Sequence, residues 1–324
     1  MMNRGQKVRW GILGCGKIAH KFAHDLLLSG NSELVACASR DAKNSKAFAE
    51  KYNIKLSFDS YEELAECTQV DIVYVATPNS HHKKHSLLCL QKGKGVLCEK
   101  PLSTNQSDVE EMIQVARENN VFLMEAMWTS FLPNILSIQN TIQRGTIGEV
   151  IHLSADFAFK TDYNPTSRLF DANLGGGSLL DIGIYPLFMS LLFLGKPHKI
   201  KASLRNSASG VDASCTVLLT CEGEKTASLF SSFETSTNIE CKIYGTKGAI
   251  TIANRFHEQS EYSIVIPGKP DQLIQSERIG FGYFYEIEHV NECLYNGWTE
   301  SSRMPLDLSL VLIQIMDEIR NASQ

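Results

Sequence analysis

Two short stretches of this 324-residue sequence carry side chains that can move a proton. The first is Glu99-Lys100-Pro101, whose lysine can hydrogen-bond a substrate hydroxyl or lower the pKa of a neighbouring acid. The second holds Asp181 and Tyr185, which are four positions apart and share a face of a helix. A phenol with its ordinary pKa of about 10 is a poor base at neutral pH, but a cation such as the Lys100 ammonium stabilises the phenolate.

Each of these side chains also has an ordinary structural explanation. Lys100 can be a surface lysine paired with Glu99, and Tyr185 can be a core tyrosine whose hydroxyl has a protein partner. Asp181 can merely cap or orient its helix. The three glycines before Asp181 favour a site, because glycine lets the backbone approach a ligand closely. The residues alone leave both explanations open.

A glycine-rich turn follows the first apolar run of the chain and opens into a helical pattern. Gly14 permits a tight turn, Gly16 leaves room for a pyrophosphate, and Ala19 lets helix and strand pack closely. The N–H groups and the dipole of the helix start favour an anion. The order of strand, turn and helix predicts a dinucleotide site with contacts from Gly14, Gly16, Lys17 and Ile18.

The residues after the second predicted strand bear on which dinucleotide binds. Ser39-Arg40-Asp41 stands near the position where NAD-binding Rossmann units place an acidic residue on the ribose hydroxyls. Arg40 can instead pair with a 2′-phosphate, which predicts NADP. Asp41 can still accept from a ribose, and an arginine after a strand is often a solvated surface residue, so NAD stays possible.

Strands alternate with helices through the first part of the chain, which predicts a doubly wound parallel sheet. Ligands of such sheets lie at the carboxyl ends of the strands. The residues expected to contact the cofactor there are Ser39, Arg40, Thr77, Pro78, Asn79, His82, Glu99 and Lys100. His81, His82 and His85 have no carboxylate or cysteine at a known ligand spacing, so we expect no metal site.

From residue 148 onward apolar and polar residues alternate, as where Val211 and Ala213 alternate with Asp212 and Ser214. This predicts a mainly antiparallel sheet with one face on helices and one face turned outward, a surface suited to a homodimer. The expected α/β protein has an N-terminal Rossmann domain at residues 1–127 and a substrate-binding and dimerisation α+β domain with a large open sheet at 128–324. Its expected pocket wall comprises Trp128, Phe157 and Phe159, although aromatic strand residues are more often core.

Composition excludes several classes of protein. A net charge of −5 without a dense Lys/Arg stripe argues against a nucleic-acid partner. No apolar run approaches a membrane span and no signal-peptide core precedes the first strand, so we expect a cytoplasmic protein without a membrane partner. The nine cysteines are scattered singly, which argues against a disulfide framework and a zinc cage.

Three motifs in order carry a resemblance: Gly14-x-Gly16-x-x-Ala19, Glu99-Lys100-Pro101, and Gly-Gly-Gly followed by Asp181-x-Gly183-x-Tyr185. Over essentially the whole chain the sequence resembles the glucose-fructose oxidoreductase/inositol dehydrogenase/MocA (Gfo/Idh/MocA) superfamily. Within it the sequence is most similar to the dimeric dihydrodiol dehydrogenase branch, which also contains NADP-dependent D-xylose dehydrogenases. Many members have His where Tyr185 stands.

This resemblance implies an NAD(P)-dependent dehydrogenase that acts on CH–OH or CH–CH groups. Hydride would pass between the nicotinamide and a carbon of a cyclic diol or sugar. Tyr185 would be the general acid/base, Lys100 its partner and Asp181 its orienter. Two alternatives stay open: a non-catalytic NADP-binding regulatory protein of the same fold, and an NAD-dependent inositol or sugar dehydrogenase.

Overall fold

The computed structural model describes residues 5–322 and divides the chain into two compact units. The first unit runs to Phe131 and also contains Ile279–Leu310, whereas the second contains Leu132–Arg278 and the chain from Val311 onward. The expectation of a single boundary between residues 127 and 128 is therefore corrected, because residues 279–310 belong to the first unit.

The strands of the described chain are β1 (Val8–Leu13), β2 (Ser32–Ala38), β3 (Leu56–Phe58), β4 (Ile72–Val75), β5 (Gly95–Glu99), β6 (Leu123–Ala126), β7 (Val150–Ala158), β8 (Pro197–Asn206), β9 (Asp212–Cys221), β10 (Thr226–Ser232), β11 (Cys241–Gly245), β12 (Ala249–Ile252), β13 (Tyr262–Val265) and β14 (Gln272–Ile274). The α-helices are α1 (Lys17–Leu26), α2 (Ala42–Tyr52), α3 (Tyr61–Glu66), α4 (His82–Gln91), α5 (Gln106–Glu118), α6 (Pro133–Gln143), α7 (Ile184–Leu194), α8 (Phe284–Tyr295) and α9 (Leu306–Ala322).

The first unit contains a six-stranded parallel sheet in the order β3-β2-β1-β4-β5-β6. This is the strand order of a Rossmann fold, which confirms the predicted fold class. Its central strands are apolar on both faces, and Trp10, Ile12 and Ile72–Val75 are fully buried. Such continuous burial follows from helices covering both faces of a parallel sheet. The carboxyl ends of β1, β2, β4 and β5 consequently lie side by side.

A buried carboxylate explains why α8 belongs to the first unit. Asp25 on α1 is 0% exposed and accepts hydrogen bonds from the N–H groups of Phe281 (2.9 Å) and Tyr283 (2.8 Å). Further along α8, the Asn291 side-chain oxygen accepts from the Trp10 indole at 3.1 Å. The helical pattern predicted α8 itself, but these distant partners of α8 have no signal in local sequence.

The second unit contains an eight-stranded sheet in the order β14-β13-β12-β11-β7-β10-β9-β8. Every neighbouring pair is antiparallel except β7 with β10, so the predicted mainly antiparallel sheet is confirmed. Helix α7 packs on β7 and β10. The sequence analysis missed strands β13 and β14, which have only four and three residues.

The outward face of this sheet keeps large apolar groups in solvent. Leu218 on β9 is 53% exposed, Tyr244 on β11 is 40% exposed, and Val265 on β13 is 39% exposed. Along β9, burial alternates as predicted, with Ala213 and Val217 buried. Asp212 departs from the alternation, because it was expected on the outward face and is only 7% exposed.

One segment of the described chain, Ala172–Leu194, is long and apolar enough to cross a membrane by length and composition. The sequence analysis had found no run of that length. In the fold 89% of the most apolar stretch of this segment is buried, as in a core helix of the second unit.

The loop after β5 is hydrogen-bonded to a buried carboxylate at the end of β6. The contribution of this carboxylate to the free energy of unfolding should depend on pH. Glu125 is 2% exposed and its Oε1 accepts from the Leu102 N–H at 2.9 Å. Burial raises the pKa of Glu125 to about 7 from 4.5, against the effect of this hydrogen bond. A raised carboxyl pKa means that the folded state binds more protons than the unfolded state, so stability falls as pH rises between these values.

We therefore expect Glu125→Gln to remove that pH dependence. Relative to the native chain, the free energy of unfolding of the variant should rise by up to about 3 kcal/mol between pH 4.5 and 8. Urea unfolding across this range measures the difference. Parallel curves for the two proteins would contradict the assigned pKa.

Candidate active site

The glycine-rich turn of the first unit has the shape that a bound phosphate needs. Gly14 has a φ of +100°, and a Cβ placed there would lie 2.9 Å from the Ala76 carbonyl oxygen. Its N–H donates to the Ala38 carbonyl at 2.9 Å, which ties the turn to the end of β2. A side chain at this position is therefore excluded by both space and backbone conformation.

The start of α1 is open to a ligand. Gly16 precedes the helix, and a Cβ there would meet nothing within 4 Å among the described residues. In residues 5–322 no side chain caps this helix, and Gly16 and Lys17 are exposed while Ile18 is half-buried. Uncapped N–H groups and the positive end of the helix dipole fit an anion such as a dinucleotide pyrophosphate.

Arg40 and Asp41, the residues proposed for a 2′-phosphate and for the ribose hydroxyls, follow the end of β2. Asp41 Oδ1 accepts from the Lys43 N–H at 2.9 Å and so caps α2. Arg40 is exposed and lies beside the Tyr61 phenol; burial raises the pKa of that phenol, while Arg40 opposes the shift. Ser39 is nearly buried, and its hydroxyl accepts from the Asp41 N–H at 3.3 Å. Arg40 and Asp41 are both exposed, and of the two only Arg40 carries a charge that suits a phosphate.

His82 lies between two loops, with a carbonyl oxygen of each beside its ring nitrogens, and its expected contact with the cofactor stays a prediction. It is 1% exposed, with Nε2 2.8 Å from the Thr77 carbonyl oxygen and Nδ1 2.7 Å from the Pro101 carbonyl oxygen. Burial lowers the pKa of His82 to about 4, although both carbonyls oppose the shift. A neutral ring has a single N–H, so it donates to one of these two carbonyls at a time while it lies between the loop after β4 and the loop after β5. Thr77, Pro78 and Asn79 are half-buried at this strand end, as expected of residues that line a site.

The predicted catalytic lysine follows a carboxylate with two partners of its own. Glu99 is 9% exposed and accepts a hydrogen bond from the Tyr74 hydroxyl and a weaker one from the Lys100 N–H at 3.3 Å. Burial raises the pKa of Tyr74 well above its usual value, and Glu99 adds to the shift, so the phenol stays a donor. Glu99 is thereby fixed at the strand end, and the half-buried Lys100 follows it directly.

In the second unit, Asp181 lies in a π-helical turn, Leu179–Gly183, and Tyr185 in the first turn of α7. Both are 7% exposed. Asp181 Oδ1 accepts from the Arg168 guanidinium at 2.8 Å, a pairing that nothing in the sequence indicated. A π turn is a rare feature that is frequent at functional sites.

The Tyr185 ring lies in a cluster with two other rings of the second unit. Its centroid is 5.7 Å from Phe157 and 4.9 Å from His257, and Phe157 stacks on His257 at 4.3 Å. His257 is 3% exposed and was missed by the sequence analysis, since it lies in a loop without a motif. Phe157 thus contacts the ring of the proposed general acid/base, and its place in the pocket wall stays a prediction.

The other two expected wall residues lie in different surroundings. Phe159 packs on Phe233 at 5.3 Å, in a cluster apart from the Tyr185 ring contacts. Trp128 belongs to the first unit, where it stacks on Tyr283 at 4.6 Å and is 7% exposed. Phe157 and Phe159 are two positions apart, but this spacing does not determine which rings contact them.

Family comparisons agree with these two units. Residues 8–127 match the oxidoreductase family model GFO_IDH_MocA, described as an NAD-binding Rossmann fold. Residues 135–251 match the GFO/IDH/MocA C-terminal domain.

Similar proteins extend over nearly the whole chain. Trans-1,2-dihydrobenzene-1,2-diol dehydrogenases of Mus musculus and Homo sapiens are each 38% identical, over 97% of this chain and 96% of theirs. Among solved structures, a 3-ketoreductase from Actinomadura kijaniata in complex with NADP and TDP-benzene has a TM-score of 0.89 at 26% identity, covering 98% of both chains. An aldose-aldose oxidoreductase from Caulobacter crescentus has a TM-score of 0.90 at 25% identity, with the same coverage. The chain therefore belongs to the GFO/IDH/MocA family and is an NAD(P)-dependent oxidoreductase.

Proposed function

We propose that this protein is an NADP-dependent dehydrogenase that oxidises one hydroxyl of a cyclic trans-diol, with sugars as the alternative substrate class. The observation that carries the proposal is the ring cluster of Phe157, His257 and Tyr185 in the second unit. Aromatic side chains around a phenol suit an unsaturated ring that carries hydroxyls. Relatives at 38% identity are dehydrogenases of such a diol, which supports the same class here.

The cofactor proposal rests on the first unit. Arg40 and Asp41 are both exposed at the end of β2, and the Asp41 carboxylate is engaged as the cap of α2. A guanidinium suits a phosphate because it offers several donors in a fixed plane. This favours NADP over NAD.

When bound, the oxidised nicotinamide supplies the acceptor for a hydride. In the proposed reaction Tyr185 Oη takes the proton of a substrate hydroxyl, and the hydride leaves the carbon that bears this hydroxyl. Lys100 stabilises the phenolate form and orients the hydroxyl. Asp181, paired with Arg168, fixes the helical turn that leads to Tyr185. Reduction of a carbonyl runs through the same groups in reverse.

We also propose a cytoplasmic homodimer formed through the outward face of the eight-stranded sheet, without a nucleic-acid or membrane partner. Leu218, Tyr244 and Val265 on this face offer apolar contact area to a second copy. The net charge of −5 supports the absence of a nucleic-acid partner.

We expect Tyr185→Phe to lower kcat about 10²–10⁴-fold, because the variant keeps the ring but has no proton to exchange. Absorbance at 340 nm with NADP and a panel of trans-dihydrodiols, pentoses and hexoses measures turnover. Tyr262→Phe is the matched control, because its hydroxyl lies 2.7 Å from the Ser137 hydroxyl within the second unit and has no role in the proposed chemistry. Unchanged turnover in Tyr185→Phe would refute the role given to this residue.

The partnership with Lys100 has its own test. If Lys100 and Tyr185 act on one proton, the double variant Lys100→Met/Tyr185→Phe should lose little more activity than either single variant. Losses that multiply would show two independent contributions.

We expect Arg40→Ala to weaken NADP binding about 10- to 100-fold and to leave NAD binding unchanged, because a charge-assisted bond to phosphate contributes about 1.5–3 kcal/mol. Titration calorimetry with each nucleotide gives both affinities. Lys55→Ala removes an exposed charge elsewhere in the same unit and serves as the control. An equal loss for both nucleotides would overturn the assignment.

We expect Leu218→Asp to convert the dimer into a monomer, because a carboxylate within the apolar contact has no partner there. Light scattering after size exclusion reports the mass. Leu28→Asp changes a similarly exposed leucine (47%) of the first unit and should leave the dimer intact. A native protein that is already monomeric would disprove the proposed interface.

A further inference from the structure

The helical segment that carries Asp181 and Tyr185 begins on a buried carboxylate. Asp212, at the start of β9, is 7% exposed, and its Oδ2 accepts from the Ser178 hydroxyl and from the Leu179 N–H, both at 2.7 Å. These are short hydrogen bonds to a charged acceptor, the kind that fixes a backbone strongly. A negative group at a helix start is also favoured by the helix dipole.

A neighbouring strand provides a second contact to the same turn. The Ser231 hydroxyl on β10 lies 3.1 Å from the Ser178 hydroxyl, and these two serines are 2% and 0% exposed. Strands β9 and β10 are paired directly, Ser231 opposite Cys215. The helix start is therefore held by two adjacent strands of one sheet, through groups that water does not reach.

The glycines of this segment make room for these anchoring groups. Gly177 has a φ of +116°, and a Cβ there would lie only 2.3 Å from Asp212 Oδ1. A Cβ on Gly183 would lie 2.9 Å from the Ser231 hydroxyl oxygen. Close approach of the backbone to the sheet, as well as to a ligand, thus explains why small residues stand on either side of Asp181.

We propose that Asp212, acting with Ser178 and Ser231, is a positioning residue for the reaction: it fixes the helix start so that Tyr185 is held at its reacting position. The inference rests on the proposed role of Tyr185. We name these three residues the sheet anchor.

The chemistry of the anchor supports a positioning role over simple stabilisation. Burial raises the pKa of Asp212 to about 6, against the hydrogen bonds from Ser178 and the Leu179 N–H. Joining a helix to a sheet through a buried carboxylate costs desolvation free energy, whereas apolar packing joins them without desolvating a charge. Two directional bonds, however, fix orientation, and displacement of a reacting group by about 1 Å can lower a rate about 10²-fold.

The test compares Asp212→Asn, which keeps one carbonyl oxygen for the Leu179 N–H, with Asp212→Ala, which removes both bonds. We expect kcat to fall about 10- to 100-fold in the alanine variant and less in the asparagine variant, with the dissociation constant of NADP unchanged. The limb of the kcat–pH profile that belongs to Tyr185 should shift in both variants. Hydrogen exchange of the amides of residues 179–185 should accelerate.

The control is Asp71→Asn, because Asp71 likewise accepts from a backbone N–H, that of Arg9 at 2.9 Å, and pairs with the Arg9 guanidinium in the first unit. It should lower the melting temperature without moving kcat or its pH profile. If Asp212→Ala does not fold, Ser178→Ala removes one contact of the anchor and gives the same comparison at smaller amplitude.

Two results would overturn the inference. One is a lower melting temperature in the Asp212 variants with kcat and pH profile as in the native protein. The other is unchanged hydrogen exchange at residues 179–185. Failure of the proposed function is distinguished by Tyr185→Phe: if that variant keeps full turnover, the role of Tyr185 is wrong even where amide exchange shows that the anchor holds the helix.

Discussion

Buried carboxylates that accept backbone N–H groups determine where the functional segments of this protein lie. Asp25 receives the N–H groups before α8, Glu125 receives that of Leu102, and Asp212 receives that of Leu179. In each case the carboxylate stands on a regular element and the N–H belongs to a loop or a helix start. The loops and helix starts therefore take their positions from rigid strands and helices, although they have few regular hydrogen bonds of their own.

The energetic balance of these contacts explains why they are confined to a few positions. A buried carboxylate loses its hydration, and burial raises the pKa of Glu125 to about 7 and that of Asp212 to about 6. Glu286 on α8 shows the limit of this effect, because it is 0% exposed and neither of its oxygens has a hydrogen-bond partner in the described part of the chain. Burial raises its pKa well above the usual value, which favours the neutral acid. Only carboxylates with N–H partners can act as charged anchors.

The sequence predicted those parts of the fold in which a local pattern has one structural outcome. The strand, Gly14-x-Gly16 turn and helix, the alternation of strands and helices, and the alternation along β9 each correspond to observed elements. Local patterns did not predict the burial of a side chain whose hydrogen-bond partners are distant in sequence. Asp212 has the parity of an outward residue, yet Ser178 and Leu179 draw its carboxylate inward beside an irregularity in the β8–β9 pairing.

The same limit applies to the site. Glu99, Lys100, Asp181 and Tyr185 were identified from their types and spacing, but Arg168 and His257, which contact Asp181 and Tyr185, lie in segments without a motif. His82 was expected at the cofactor because it follows a strand end, but its contacts with carbonyl oxygens of two different loops had no signal in the sequence. Residue type and spacing thus identify chemical groups, while the partners that orient them appear only in the fold.

The division of the chain into two units also separates two kinds of selectivity. Arg40, with Tyr61 beside it, belongs to the first unit, so the proposed choice between nucleotides is assigned to the end of β2. Phe157 and His257, around Tyr185, belong to the second unit, so the proposed choice of substrate is assigned to β7 and a loop before β13. Substitutions in residues that share no partner have nearly additive effects on free energy. Under the proposed assignments, nucleotide preference and substrate preference can therefore change independently in this fold.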